Sequence, residues 1–256
     1  MSQQEKISCM LFMLFGIILI MKKKVFIFLL FCILANFSYG MSFKEQILKS
    51  KEGDFIVYEK NKIFSLIVIK KITSEELILE EISTNKKPDN WKKWVINGAI
   101  GNSSWTICKI DILSGKIIDG YSFSKRAWLN VESKENLFSH LLSLELQTVA
   151  KNLWRKIGSP PSYGEQDLRS IWYPTFYLNG KAKKANWEVY ETKWPNDSSD
   201  FSNKTLNFYF TNAEIFFPIW LQVSTSYGIA ILHAVDSGHE LISPQKNVFF
   251  TYMGKD

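Results

Sequence analysis

The sequence predicts an α+β protein: a large, curved antiparallel β-sheet, half-barrel-like, with one main amphipathic helix packed against it. Two observations support this class. Short apolar segments separated by turn residues recur along most of the chain, whereas only one segment carries apolar residues at helical spacing. The connections between these segments are short, which favours antiparallel pairing of successive strands.

The strands of the first half follow one another closely. Asn61-Lys62 and Ser114-Gly115 each separate two apolar segments, and both pairs predict two-residue hairpin turns. The predicted strands are 54–59, 63–72, 76–82, 105–113 and 116–123.

A single helix is predicted at 136–149. Leu137, Leu141 and Leu144 lie on one face of such a helix, which would bury this face against the sheet. The sequence GSPPS at 158–162 then interrupts regular structure.

Strands return in the second half of the chain. Asn179-Gly180 is a strong turn dipeptide and separates two of them. The predicted strands are 175–178, 186–193, 206–211, 219–225 and 229–235, with a final edge strand at 248–252.

The N-terminal segment predicts export. Residues 21–40, MKKKVFIFLLFCILANFSYG, have the basic, apolar and small-residue regions of a signal peptide, which leaves 41–256 as a single exported β-rich domain. Residues 1–20 contain a second apolar run, and we interpret them as an extension preceding a translation start at Met21. The predicted location is periplasmic or secreted. The alternative is an uncleaved anchor in the inner membrane, and membrane contact is expected only through that segment.

Charge and cysteine content exclude some classes of protein. The net charge is +6, and the charges of both signs are mixed along the chain, so nucleic acid is not the expected partner. Only one of the three cysteines, Cys108, follows residue 40, so the exported domain has no internal disulfide. Cys108 lies in an alternating segment and is predicted to be a buried strand thiol.

The segment AVDSGHELISP at 234–244 contains the residue types of a hydrolase. Asp236, Ser237 and His239 are adjacent in sequence, whereas the members of catalytic triads come from distant segments, and no Gly-x-Ser-x-Gly motif surrounds the serine. We therefore interpret this segment as the turn that ends strand 229–235, and we assign no catalytic residue. Asp236 and His239 remain candidates for ligand binding.

The loop 154–172, WRKIGSPPSYGEQDLRSIW, contains the other candidates. Trp154, Arg155, Arg169 and Trp172 combine cations with aromatic rings, and loops often carry binding sites, so one interpretation is an anion or peptide site. The alternative is a surface loop held by pairs of arginine with carboxylate and by tryptophan packing.

Tryptophan is abundant, whereas cofactor and metal motifs are lacking. The nine tryptophans follow residue 40 and either cover the sheet or line a pocket for an apolar ligand. The three histidines lack the spacing of a zinc site, so no metal and no cofactor are predicted.

Four segments carry a resemblance to an uncharacterised exported family of intracellular Gram-negative bacteria. They are SWTICKIDILSGKIIDGYSF (104–123), RKIGSPPSYGEQDLRSIWYP (155–174), WPNDSSDFSNKT (194–205) and FPIWLQVSTSYGIAILHAVDSGHELISP (217–244). The family implies no activity. At the level of the fold alone, the predicted sheet also resembles the half-barrels of periplasmic lipoprotein carriers, which enclose an apolar cavity.

The sequence favours a non-enzymatic envelope protein that binds an apolar or lipid-type ligand, or another envelope protein. An apolar ligand would require a pocket lined by Trp and Leu between helix 136–149 and the sheet. One alternative is a hydrolase with a site near Asp236 and His239, which requires this segment and loop 154–172 to meet at one cleft. Another alternative is a secreted effector directed at a host.

Overall fold

The computed structural model of the protein describes residues 40–130, 137–211, 215, 217–225, 228–245 and 248–250. The predicted N-terminal extension and signal peptide lie outside these residues, apart from Gly40. Residues Met41–Asp256 form one compact unit. Strands account for 45% of the structure and helices for 10%, so the protein is mostly β.

The described residues contain fourteen strands and three short α-helices. The strands are β1 (Met41–Ser42), β2 (Phe55–Lys60), β3 (Ile63–Ile72), β4 (Glu76–Thr84), β5 (Ser104–Asp111), β6 (Ile117–Ser122), β7 (Ala127–Trp128), β8 (Glu145–Thr148), β9 (Phe176–Leu178), β10 (Lys181–Lys183), β11 (Trp187–Lys193), β12 (Thr205–Thr211), β13 (Trp220–Thr225) and β14 (Gly228–Gly238). The helices are α1 (Phe43–Ile47), α2 (Trp91–Ile96) and α3 (Leu137–Ser143), with 3-10 helices at Lys151–Leu153 and Val248–Phe250.

Twelve strands form one antiparallel sheet in the order β1-β8-β11-β12-β13-β14-β2-β3-β4-β5-β6-β7. From β2 to β7 the strands are neighbours in both sequence and space, as expected for hairpin connections. The late strands β11 to β14 lie between β8 and β2, so β14 pairs with a strand formed by a much earlier part of the chain. A separate hairpin of β9 and β10 packs against β14.

Both faces of the sheet centre are covered, which explains a run of four consecutive buried residues, FIVY, in β2. Ile56 and Tyr58 lie in the core under α1 and α3, on a face that we call the α1 face. Phe55 and Val57 lie in a second core under α2 and Leu241, on a face that we call the α2 face. An antiparallel sheet with one solvated face would show alternating burial instead.

Side-chain caps explain why two short helices begin where they do. Ser42 accepts a hydrogen bond from the Glu45 amide at 3.1 Å, and the Glu45 carboxylate accepts one from the Ser42 amide at 2.9 Å. This capping box satisfies two backbone donors at the start of α1. The Asn90 side chain accepts from the Lys93 amide at 2.9 Å and caps α2 in the same way.

The prediction of an α+β fold with one main amphipathic helix at 136–149 is wrong. Only Leu137–Ser143 is α-helical within this range, and Glu145–Thr148 forms β8. Leu144 and Leu146 are buried while Glu145 and Gln147 are exposed, which is the period of a strand. Pairing of β8 with β1 and β11 supplies its backbone hydrogen bonds and outweighs the helical spacing of the leucines.

The predicted edge strand at 248–252 is also not observed. Residues Val248–Phe250 form a 3-10 helix, and the two remaining residues of that prediction lie outside the described part of the chain. The buried ring of Phe249 packs against Trp128 with centroids 5.9 Å apart. Phe249 shares a small buried cluster with Ile78 of β4 and Ile107 of β5, so this segment packs against the sheet rather than extending it.

Candidate functional site

The Asp236 segment belongs to a strand and not to a turn, contrary to prediction. β14 continues through a β-bulge between Ala234 and Asp236 and pairs with β2 until Gly238 lies opposite Phe55. Asp, Ser and Gly favour turns by local preference. Here the edge of β2 provides backbone hydrogen-bond partners, so the segment forms a strand although its residue types favour a turn.

Asp236, Ser237 and His239 each have a structural partner. The buried Asp236 carboxylate accepts hydrogen bonds from the Gly180 amide at 2.8 Å and the Ser237 amide at 2.9 Å, both at Oδ1. Ser237 Oγ donates to the Tyr177 carbonyl at 2.6 Å. His239 Nδ1 lies 2.8 Å from Asp54 Oδ1. The segment thus attaches the β9–β10 hairpin to the sheet, and its serine and histidine contact different partners.

The loop 154–172 folds back on itself. Lys156 and Ile171 form an isolated β-bridge, and the Trp172 amide donates to the Arg155 carbonyl at 2.8 Å. The Arg155 guanidinium lies over the Trp172 ring, 4.4 Å from its centroid, which is a favourable cation–π distance. These contacts bring Arg155 and Trp172 together at the base of the loop.

Asp167 binds two cationic side chains of this loop. Its carboxylate pairs with Arg169 Nε at 2.9 Å and with Lys156 Nζ at 2.8 Å. Hydrogen bonds from Arg169 and Lys156 lower the pKa of Asp167 far below its usual range, and the same contact with Asp167 raises the pKa of Arg169. Arg169 is thus engaged with a carboxylate, as in the alternative interpretation of this loop.

Trp172 covers part of the sheet. Its ring packs edge-on against Trp220 with centroids 4.8 Å apart and against Tyr209 at 5.6 Å. Trp220 in turn contacts the His233 ring at 5.9 Å. This cluster gives Trp172 and Trp220 the covering role that is one of the two roles predicted for the tryptophans.

The six predicted ligand-binding residues separate into two groups. Among the described residues, no hydrogen bond, ion pair or ring contact joins Asp236 or His239 to the four candidates of loop 154–172. Asp236 lines a cavity with Asn179 and Gly180, whereas Trp154 and Arg155 line a different one. The single cleft that the hydrolase alternative requires is therefore not formed by these contacts.

A cavity of about 150 Å³ lies on the α1 face, between α1, α3 and the sheet. We call it the apolar pocket; it is lined by Phe43, Ile47, Tyr58, Ile67, Leu77, Leu79, Leu141, Leu142, Phe208, Phe217, Pro218, Leu221 and Leu232. No charged side chain and no tryptophan is in this lining, so the expected Trp lining is wrong, whereas the leucine lining is present. The helical spacing of the leucines predicted that Leu141 is on the face toward the sheet, whereas no local pattern indicates the lining residues from distant strands.

The one polar side-chain atom among the lining residues is satisfied. Tyr58 Oη donates to the Pro218 carbonyl at 2.8 Å. Burial raises the pKa of Tyr58 well above its usual range, so this phenol stays neutral. The walls of the pocket therefore present carbon atoms to a ligand.

Cys108 does not have the properties of a nucleophile. It lies on β5 with intermediate exposure. Burial raises the pKa of Cys108 to about 11, with a smaller contribution from Glu81 and Asp119. The thiol is therefore protonated at neutral pH, whereas reactive cysteines have a lowered pKa.

Comparison with known proteins identifies the fold. The solved structure of the hypothetical protein CT021 from Chlamydia trachomatis, at 2.0 Å resolution, is similar with a TM-score of 0.59 and 20% sequence identity, covering 82% of this chain and 98% of that chain. This chain shares the CT021 fold. A family model described as CT021 protein also matches residues 65–184, from β3 to just beyond β10. No curated protein matches the chain.

These matches support the resemblance to an uncharacterised family of intracellular Gram-negative bacteria. They give no support for the predicted export or for the predicted likeness to lipoprotein carriers. The part of the chain matched by the family model includes loop 154–172, whereas Asp236 and His239 lie beyond it.

Two further properties concern the described residues alone. None of their helices is long and apolar enough to cross a membrane. Within the same residues, no group of three or more His, Cys, Asp or Glu side chains is arranged to hold a metal ion.

Proposed function

We propose that this protein binds an apolar or lipid-type ligand in the apolar pocket, without catalysing a reaction. The single observation that carries the proposal is a cavity with carbon-lined walls between two short helices and the centre of the sheet. Apolar cavities of this kind bind apolar molecules because transfer from water into them is favourable.

The volume of the pocket restricts the ligand. Whole small molecules usually occupy sites of about 300 to 1,000 Å³, whereas a cavity of about 150 Å³ accepts a benzene-sized group. We therefore infer that a ligand places one apolar end in the pocket, such as the terminus of an acyl chain. Leu141, Leu221 and Leu232 are only partly buried, so the remainder of the ligand would leave the pocket along them.

The test fills the pocket with a larger side chain. Leu232 lies directly opposite Leu221 in the sheet register, and both line the cavity, so Leu232→Phe is expected to occupy the space that a ligand needs. In the wild-type protein, benzene and decanoate are expected to shift the methyl NMR signals of the lining leucines. We expect Leu232→Phe to weaken these responses at least about tenfold.

The matched control is the next residue on the same strand. Ile231 is 37% exposed and points to the opposite face of the sheet, so Ile231→Phe adds a ring of similar size without entering the pocket. Binding by this variant is expected to equal that of the wild type. Absence of methyl shifts in the wild-type protein at saturating probe, or equal loss in both variants, would contradict the proposal.

We also propose that the domain acts outside the cytoplasm. The support is the signal-peptide pattern of residues 21–40. In cells that express a C-terminally tagged full chain, we expect the tag in the exported fraction and Met41 as the first residue by N-terminal sequencing. A tagged protein that retains Met1 in the membrane fraction would overturn this location in favour of the uncleaved anchor.

No specific observation favours the hydrolase. Ser237 Oγ is committed to a backbone carbonyl, and His239 contacts Asp54 rather than the serine. A triad needs its histidine within hydrogen-bond reach of the nucleophile. We therefore propose no enzymatic function.

A further inference from the structure

A second, larger cavity lies near the β9–β10 hairpin. Its volume is about 540 Å³, and it is open to solvent between the 3-10 helix at Lys151–Leu153, the segment preceding β9 and the connection from β10 to β11. We call it the lysine cleft. It shares no lining residue with the apolar pocket, so its function is independent of the one proposed above.

The charged groups of the lysine cleft have one sign. Lys151, Lys183 and Lys184 line it, and no Asp or Glu is among the lining residues. All three lysines are exposed, and none of them forms an ion pair with any carboxylate in the described part of the chain. Three cations without counter-charges around a concave site attract anions from solution.

The aromatic groups of the cleft are held in fixed orientations. Trp154 and Tyr173 pack edge to face with centroids 6.1 Å apart and planes at 88°. The Trp154 indole donates to the Val149 carbonyl at 2.7 Å, so its polar atom is satisfied. Trp187 packs edge-on against the buried Phe176 at 6.5 Å. Rings held in this way lose little entropy when a flat ligand stacks on them.

We propose that the lysine cleft binds a small phosphate-bearing molecule with a planar ring, of the nucleotide class. The phosphate would lie on Lys183 and Lys184, and the ring would lie against Trp154 and Tyr173. Lysine is a common point-charge ligand for phosphate, and bases stack on aromatic side chains whatever their identity. The volume of the cleft is within the range of small-molecule sites.

The charge distribution favours a small ligand over single-stranded nucleic acid. A strand needs a continuous basic groove several nucleotides long. Here the acidic residues are spread along the chain and the net charge is only +6. The loop next to the cleft also commits Lys156 and Arg169 to Asp167.

The experiment compares ligands that contain only part of the proposed chemistry. Calorimetric titration of the full-length protein uses AMP, adenosine, ribose 5-phosphate and a twelve-nucleotide single-stranded RNA. We expect AMP to bind with a Kd of about 10 µM to 1 mM, and about tenfold more tightly than adenosine or ribose 5-phosphate. RNA that binds without competition from AMP would overturn the proposal, as would the absence of AMP binding at several millimolar.

Paired variants separate the two parts of the site. The double variant Lys183→Ala/Lys184→Ala removes two exposed cations and is expected to weaken AMP about tenfold while leaving adenosine unchanged. Tyr173 is 42% exposed, and Tyr173→Ala is expected to weaken both AMP and adenosine. The matched control is Lys86→Ala/Lys87→Ala, an adjacent exposed lysine pair outside the cleft lining. Equal effects of the two lysine pairs would contradict a site at the cleft.

Discussion

Gly238→Ala is expected to lower the free energy of unfolding by about 3 kcal/mol, because the added methyl group has no space. A Cβ atom at Gly238 would lie 2.5 Å from Phe55 Cε1 and 2.7 Å from Cζ, and it would also meet the Asn179 side-chain oxygen. Phe55 is 1% exposed and is packed in the core of the α2 face, so its ring has little freedom to move. Urea denaturation followed by tryptophan fluorescence measures the change.

A second glycine of the same region provides the control for Gly238→Ala. Gly180 has a φ of +75°, and no atom lies within 4 Å of the position that a Cβ atom would take, so Gly180→Ala tests backbone strain without a steric clash. We expect a cost of about 1 kcal/mol for this variant. If the two variants are equally stable, crowding against Phe55 is not the reason for a glycine at position 238.

Glu80→Ala is the second substitution with a large expected effect, again a loss of about 3 kcal/mol of unfolding free energy. Glu80 is fully buried on β4. Its Oε1 accepts hydrogen bonds from Trp105 Nε1 at 2.7 Å and Ser243 Oγ at 2.8 Å. Truncation leaves both donors buried without a partner and releases the segment that contains Ser243 from the sheet.

The adjacent carboxylate serves as the control. Glu81 is exposed on the other side of the strand, so Glu81→Ala is expected to change stability by no more than about 0.5 kcal/mol. Urea denaturation at neutral pH compares the two variants. Similar losses for Glu80→Ala and Glu81→Ala would contradict the structural role of Glu80.

The buried carboxyl of Glu80 also predicts a pH dependence. Burial raises the pKa of Glu80, an effect opposed in part by Lys70, whose Nζ lies 3.8 Å from Oε2, and by the two hydrogen bonds. Because the folded-state pKa is above the unfolded value, the contribution to stability is complete below the unfolded pKa and is lost as pH rises through the folded pKa.

Comparison with an uncharged variant measures this contribution. The stability of the wild type relative to Glu80→Gln is expected to fall as the pH rises above 4.5, the ordinary pKa of a glutamate. A relative stability that stays level or rises over this range would show that the carboxyl is not protonated more readily in the folded state.

Only some residues of the candidate sites could be predicted from the sequence, as loop 154–172 shows. The mixture of cations and aromatic rings was visible in the sequence, and Trp154 lines the lysine cleft. Other cleft residues, such as Lys183 on β10 and Trp187 on β11, come from later strands whose position against the loop depends on tertiary packing. Asp236 is a residue type found in catalytic sites, and the sequence made it a candidate for ligand binding. In the structure its carboxylate accepts a hydrogen bond from the Gly180 amide, a partner distant in sequence.

Local sequence determined the strands and their turns. Alternating or continuous apolar segments predicted β2 to β6 and β11 to β13 with ends within a few residues, and Asn179-Gly180 forms the predicted turn with both φ angles positive. The Ser42-x-x-Glu45 capping box was equally readable from local spacing, although α1 was not predicted. Such features depend on residues near one another in the chain, so the sequence alone contains their causes.

Only the tertiary structure decided the order of the strands in the sheet and the secondary structure of segments whose local pattern fits more than one type. Residues 137–148 have apolar spacing compatible with a helix or a strand, and pairing with β1 and β11 selected a strand for Glu145–Thr148. In the same way, backbone pairing with β2 continues β14 to Gly238, although the local sequence favours a turn there. Backbone hydrogen bonds and burial between distant segments outweigh local preferences of about 1 kcal/mol per residue, so the pockets these segments form emerge only when the sheet is assembled.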